Sequence, residues 1–256
     1  PENGLRYEGA DPNNYICLDS NKEGTCSSSS LLFRIIGLFD EEYSSDGTSS
    51  SGTKKLLKII DTNNFGGTSG KVWNSGGTNN WSNASLKTEL NGPYLTTLLG
   101  ISNVNSKLGT AIVSSKWHLG GASKSNYETL TAEGIYTEER STSAIYSGNP
   151  VSIYAKVGLI YSSDYGYATV GGTITNKAGC REQALYIWGS SSNSDCNNND
   201  WVYKSQSISW GSNKTEWLLS PYSSDSSKSI VLYLTGLVNI DGASVVHNKL
   251  AVRPTF

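Results

Sequence analysis

The residues with the most chemistry in them lie at 195–200, DCNNND. Asp195, Asn197 and Asn199 alternate there as the first three oxygen ligands of an EF-hand-like loop do. The sixth position of such a loop takes Gly and here holds Asp200; the twelfth takes Glu and here holds Gln206. A true EF-hand is not expected, and the prediction is no cofactor and no metal. A looser calcium site of side-chain oxygens is the alternative for this loop. Glu138 and Glu139 are adjacent in TEER, and read as strand they face opposite ways, so they do not form an acid/base pair with each other. His118 and His247 are the two histidines, and no G-x-S-x-G elbow accompanies them. They read as a loop residue and a strand-surface residue. No G-x-G-x-x-G and no Walker loop occurs. The chain is therefore expected not to be an enzyme, with a hydrolase built from distant carboxylates as the third reading.

The other signal is aromatic. Trp188, Trp201, Trp210 and Trp217 are clustered beside Tyr186, Tyr203 and Tyr222. Aromatic faces stack on sugars, and Asn and Asp side chains hydrogen-bond hydroxyls, a mixture suited to carbohydrate or protein surfaces. Core packing is the competing use of the same rings. The predicted ligand-binding set is Trp188, Asp195, Asn197, Asn199, Asp200, Trp201, Tyr203 and Trp210. Cys17, Cys26, Cys180 and Cys196 are spaced too widely within each pair for a zinc knuckle. Each pair brackets a Ser/Asn/Gly-rich segment, so two local disulfides, Cys17–Cys26 and Cys180–Cys196, are expected, in an oxidising compartment.

Composition narrows the partners. Net charge is −2 and no Lys/Arg cluster matches a row of phosphates, so nucleic acid is not an expected partner. No apolar run reaches the ~18 residues of a membrane span. The chain starts at Pro1 without Met and reads as a mature fragment. Seven Trp and fifteen Tyr in 256 residues argue for a folded chain with an aromatic core rather than disorder.

These residues need elements to hold them. Residues 1–13 read as a lead-in or linker, and 14–256 as one domain. YICL (15–18), LLFRIIGLF (31–39) and KLLKIID (55–61) read as strands, with 40–53 as a long hairpin tip. From Ser82 the apolar spacing turns to three and four, predicting helices at about 83–91 and 93–99 separated by Gly92-Pro93. Beyond 100, TAIVSS, SIYAKVGLIY, ALYIWG, WVYK, EWLLS, SIVLYLTGLVNI and ASVVHNKLAVRP read as strands, the last two joined at Asp241-Gly242. The class is α+β: mostly antiparallel strands, one or two short helices and long loops. VGLIYSSDYGYA reads either as an acid beside aromatic rings, as in a sugar site, or as a strand leaving the core and turning at the surface.

LLFRIIGLFD, NNWSNASLKTELN-x-x-Y, VGLIYSSDYGYA, WLLSP and AVRPTF, in this order, resemble a domain of exported and surface proteins of Firmicutes and related gut bacteria, some with pilin-like or Ig-like neighbours. The resemblance spans roughly 14–256. The W-L-x-S-P…V-R-P-x-F ending is also similar to the C-type-lectin-like fold of bacterial variable surface proteins. The calcium and sugar triplets E-P-N and W-N-D of vertebrate-type C-type lectins are absent; Gly148-Asn149-Pro150 is the nearest echo. The resemblance implies a C-type-lectin-like framework in which Trp217, Leu218 and Leu219 form a central strand and Arg253 pairs with an acid; in the same framework Leu159 and Tyr161 fill the core, Gly166 permits a turn and Asp164 fixes that turn through backbone hydrogen bonds. It places recognition in loops 189–200, 203–215 and 162–179. It implies a non-enzymatic adhesin or pilus-associated module at the cell surface, binding a host or bacterial glycan or protein. A structural subunit of a filament, contacting other pilus subunits, is the alternative.

Overall fold

The stretch LFRIIGLFDEEYS, Leu32–Ser44, forms the longest strand, β3. Its branched and aromatic residues suit a pleated, half-buried surface. The structure, a computed structural model, describes residues 4–20, 26, 31–123, 125, 129–190, 194–206 and 215–256, with the backbone alone at 240–243. β3 pairs antiparallel with β4 (Gly52–Asp61) from Phe33↔Asp61 to Tyr43↔Gly52. It also pairs with β1 (Gly4–Arg6), β2 (Tyr15–Cys17) and the start of β5 (Ser114–His118), and β5 carries β6 (Ser152–Ala155). A second antiparallel sheet holds β7 (Glu216–Pro221), β8 (Lys228–Leu232) and β9 (Val238–Ser244).

The helices are short: α1 (Ser85–Glu89), α2 (Leu95–Leu99), α3 (Ser102–Leu108), α4 (Ala132–Glu139), α5 (Ser162–Gly166), α6 (Lys177–Arg181), α7 (Ser194–Asn198) and α8 (Trp201–Lys204). At two to three turns or fewer they gain little from propensity and depend on caps and packing. Thr131, Asn176 and Asp200 cap α4, α6 and α8 by accepting backbone N–H groups. The molecule is thus mixed α and β with antiparallel sheets.

Aromatic rings fill the core. Trp73, Trp81, Trp117, Trp188, Trp201 and Trp217 are all buried. Four of these indoles donate to backbone carbonyls: Trp73 to Leu218, Trp117 to Ala155, Trp201 to Tyr7 and Trp217 to Lys71. A buried indole needs such a partner to offset its lost water. Leu159 and Tyr161 lie in the core, as expected. β7 is buried along all six residues, with Trp217 N–H bonded to Ala251 O and Leu219 N–H to Ile160 O on the side away from β8.

Two buried ionic clusters tie distant segments together. Glu216 takes two bonds from Arg253, at 2.8 and 2.7 Å, and Arg253 also donates to Ser205 Oγ and Val202 O. Asp164 accepts from Arg6 at 2.6 Å, Lys58 at 2.5 Å and the Tyr161 backbone N–H at 3.2 Å. The last of these caps the start of α5, so the turn expected at Gly166 is a short helix instead, and two cations hold Asp164 besides the backbone. Burial alone would raise the Asp164 carboxyl pKa, but the Lys58 and Arg6 charges hold it well below the usual range.

Several local expectations need correction. Residues 4–6, read as lead-in, form β1 in the main sheet. The hairpin tip is 45–51 rather than 40–53, because Lys54 and Lys55 sit across from Glu41 and Asp40, and such cross-strand charge pairs extend the ladder. Gly92-Pro93 does not separate two helices. A π turn over Leu90–Tyr94 carries the helix through, its wider ring accommodating a proline that has no N–H to give. ALYIWG contains a 3-10 turn over Leu185–Ile187, and WVYK is α8, set by the Asp200 cap. A four-residue apolar run does not by itself distinguish strand from helix. SIVLYLTGLVNI folds back on itself at Tyr233–Leu237, where Gly236 adopts φ 83° and an added Cβ would lie 2.3 Å from Asn197. Asp241-Gly242, read as the turn, lies inside β9. TEER is on α4, not on a strand.

Candidate functional site

The residues predicted to bind ligand are mostly consumed by the fold. Trp188 and Trp201 are fully buried, Trp188 edge-on to Tyr165 at 5.1 Å and Trp201 under the Arg34 guanidinium at 4.6 Å. Neither ring presents a face to a ligand. Asp200 is fully buried and accepts from Val202 and Tyr203 N–H at 2.8 and 3.2 Å; burial pushes its carboxyl pKa well up. Asn197, also buried, donates to Thr235 O at 2.9 Å. Asp195 is half-buried and accepts from Ile174 and Thr175 N–H at 2.6 and 3.0 Å. Asn199 donates to Asp195 O, and the half-buried Tyr203 to Leu234 O. Trp210 lies outside the described residues. The calcium-like alternation of 195–199 is broken physically, because 194–198 is helical and adjacent ligand positions no longer converge. Among the described residues no cluster of three or more His, Cys, Asp or Glu side chains has metal-site geometry.

The cysteines pair as expected: Cys17 with Cys26 at a Cα separation of 5.7 Å, and Cys180 with Cys196 at 5.5 Å. Cys180 and Cys196 are themselves buried, so this bridge ties α6 to α7 inside the core.

Glu139 does not form a reactive pair either. It is fully buried, bonded to Ser163 N–H and Oγ and to Ser220 Oγ, and lies 3.6 Å from Arg140. Burial pushes its carboxyl pKa up. It joins α4, α5 and β7.

An exposed concavity lies elsewhere, beside β4. A cavity of about 300 Å³ runs between β4 and the segment from Leu108 to Trp117. Its apolar lining, the floor of the groove, holds Ile59, Trp117, Tyr161 and Phe256, of which the first three are largely covered by the fold; Leu108, Ala111, Ile112 and Val113 line it as well. Gly158 lies so close to Trp117 that an added Cβ would sit 2.7 Å from the indole, so the floor is packed tightly from beneath.

Lys55, Lys58, Lys116 and Lys156 line the same groove, with Glu41 as its acid. Lys58 is held by Asp164 and lies over Tyr161 at 4.5 Å and Trp117 at 5.4 Å. Lys116 pairs with Glu42 at 3.0 Å, and Lys55 with Asp40 at 3.1 Å across the hairpin. Lys156 is exposed. Its backbone is set by Asn91 on the π turn, which accepts from Lys156 and Val157 N–H at 3.0 Å and donates to Val157 O at 2.8 Å.

β4 also brings its own polar edge to the groove. Ile59 exchanges two backbone bonds with Phe256, and Asp61 N–H donates to Pro254 O. By the alternation of an antiparallel strand, Leu57, Lys55 and Thr53 turn their N–H and C=O the same way. No strand pairs with that stretch of edge among the described residues. The arrangement can bind: it combines an apolar floor, a cationic rim and a row of backbone donors and acceptors. Sequence reading missed it. The available signal was the interleaving of Lys and Leu in KLLKII after an acidic DEE. Comparisons of the chain with protein families, with curated proteins and with solved structures find no match.

Proposed function

We propose that the chain is a non-enzymatic extracellular recognition module, of the adhesin or pilus-associated kind, on a C-type-lectin-like variant of the α+β fold. The observation that carries this reading is the groove beside β4, where apolar floor, lysine rim and open strand edge meet on one exposed surface. Two disulfides favour an oxidising, extracellular setting. No helix among the described residues is long and apolar enough to cross a membrane. The lectin-like reading draws support from the way both ends of the described chain, β1 and 254–256, join the β3–β4 hairpin. The recognition site moves accordingly, from the 189–200 loop to the β4 groove.

The test is binding of the purified soluble chain to arrays of glycans and of host extracellular proteins. Retained binding by Trp188→Phe, with loss on substitution of groove residues, is the expected result. Turnover of an arrayed substrate, or assembly of the chain into filaments under the same conditions, overturns the reading in favour of a hydrolase or a filament subunit.

A further inference from the structure

We infer that the β4 groove takes an acidic peptide segment of a partner protein, bound in extended form as an added strand on the outer edge of β4. This rests on the recognition reading above and names its ligand class.

The backbone supplies the first part of the case. Ile59 and Asp61 already spend their outward groups on 254–256, so the slots that follow, at Leu57, Lys55 and Thr53, continue an edge that is part-filled. Leu57 is 47% exposed, an apolar side chain held at an unpaired edge. An unpaired edge is a template for another strand, and β-strand addition is a recurrent mode of peptide recognition. A peptide laid on these slots would point alternate side chains toward the floor of Trp117 and Phe256.

Charge chooses the occupant. Four lysines and one glutamate line the groove; Lys55, Lys58 and Lys116 already hold Asp40, Asp164 and Glu42, and the exposed Lys156 is the cation with no acid partner among the described residues. β4 already displays its preference on the inner edge, where Lys54 and Lys55 face Glu41 and Asp40. A second copy of this chain, docked edge to edge, would bring the Lys55 and Lys58 of one against those of the other, which like-charge repulsion opposes. An acidic segment instead repeats on the outer edge what β3 does on the inner one.

The probe is a blocked peptide with the sequence of residues 38–44, LFDEEYS, and a counterpart with lysine at its three acidic positions. Binding to the amino-terminally tagged protein is followed by fluorescence anisotropy. The acidic peptide is expected to bind and the lysine peptide not. Leu57→Pro removes one outward donor at an edge position where proline is tolerated, and should weaken binding about tenfold or more. Lys156→Glu should weaken it about fivefold, with a weaker salt dependence. If Leu57→Pro does not fold, an acidic peptide N-methylated at alternate residues tests the same bonds on the wild-type protein. Equal binding of both peptides, or full binding by the N-methylated peptide or by folded Leu57→Pro, overturns the inference. So does concentration-dependent dimerisation that Leu57→Pro abolishes. Absence of peptide binding alongside a hit on the glycan array removes this inference and leaves the recognition reading standing; absence of both removes both.

Discussion

The segment 194–206 and the outer edge of β4 are opposites. The first is rich in Asp and Asn and holds Trp201, residue types that binding sites use, yet most of their polar groups are bonded inside the fold. The second is a plain run of Lys, Leu and Thr whose outward backbone groups, at Leu57, Lys55 and Thr53, have no strand partner among the described residues. Side-chain chemistry is a measure of what a segment can bind, and the accounting of its hydrogen bonds decides what it has left to bind with.

Trp201 carries the largest expected effect in the 194–206 segment. Trp201→Ala should cost about 3–5 kcal/mol in denaturant unfolding, through a cavity and an orphaned Tyr7 carbonyl. A loss of ligand binding with unchanged stability would mean that the ring faces a ligand after all. Next in size is the paired change Cys180→Ser with Cys196→Ser, expected to cost about 3 kcal/mol for a loop of this length. Thermal melts with and without reductant measure it.

Titration sharpens the contrast. His118, behind the groove on β5, has a pKa lowered to about 4 by burial and by the Arg140 and Lys116 charges. Its neutral form is the folded one, so its contribution is complete above 6.5 and is lost as pH falls from there to about 4. Asp200 has the opposite sign. Its raised folded pKa makes its contribution complete below 3.8 and progressively lost as pH rises above that. His118→Gln should therefore flatten the stability profile between pH 6.5 and 4, and Asp200→Asn should reduce the loss on the alkaline side. Denaturation midpoints across pH measure both. The smallest effect belongs to the open edge: Leu57→Thr should change stability by less than about 0.5 kcal/mol. A larger cost, read from the same denaturation curves, would show that the edge is already in use within the fold.

What sequence could show follows the same division. Cysteine spacing predicted both bridges, while the resembled framework placed Leu159 and Tyr161 inside and gave Arg253 an acid partner, which Glu216 supplies. The cysteine pairing is a constraint carried by residue type; the other two needed a whole-chain pattern. Gly92-Pro93 was misleading because a helix has a second way past a proline, through a wider turn, and only packing selects it. Asp241-Gly242 carried a turn signal that lost to Gly236, where the backbone meets Asn197. The groove was hidden because an open strand edge has no letter; it follows from where the described segments run.

Phe256 fixes how that edge can be blocked. It lies opposite Ile59 and runs antiparallel to β4, with Thr255 opposite Ile60. Any residues joined after Phe256 are therefore delivered toward Lys58 and Leu57. An affinity tag fused there would act as an intramolecular competitor at high effective concentration, whatever its sequence was chosen for. The same tether, shortened or lengthened residue by residue and carrying an acidic or a basic tail, would turn the molecule into a reporter of its own occupancy.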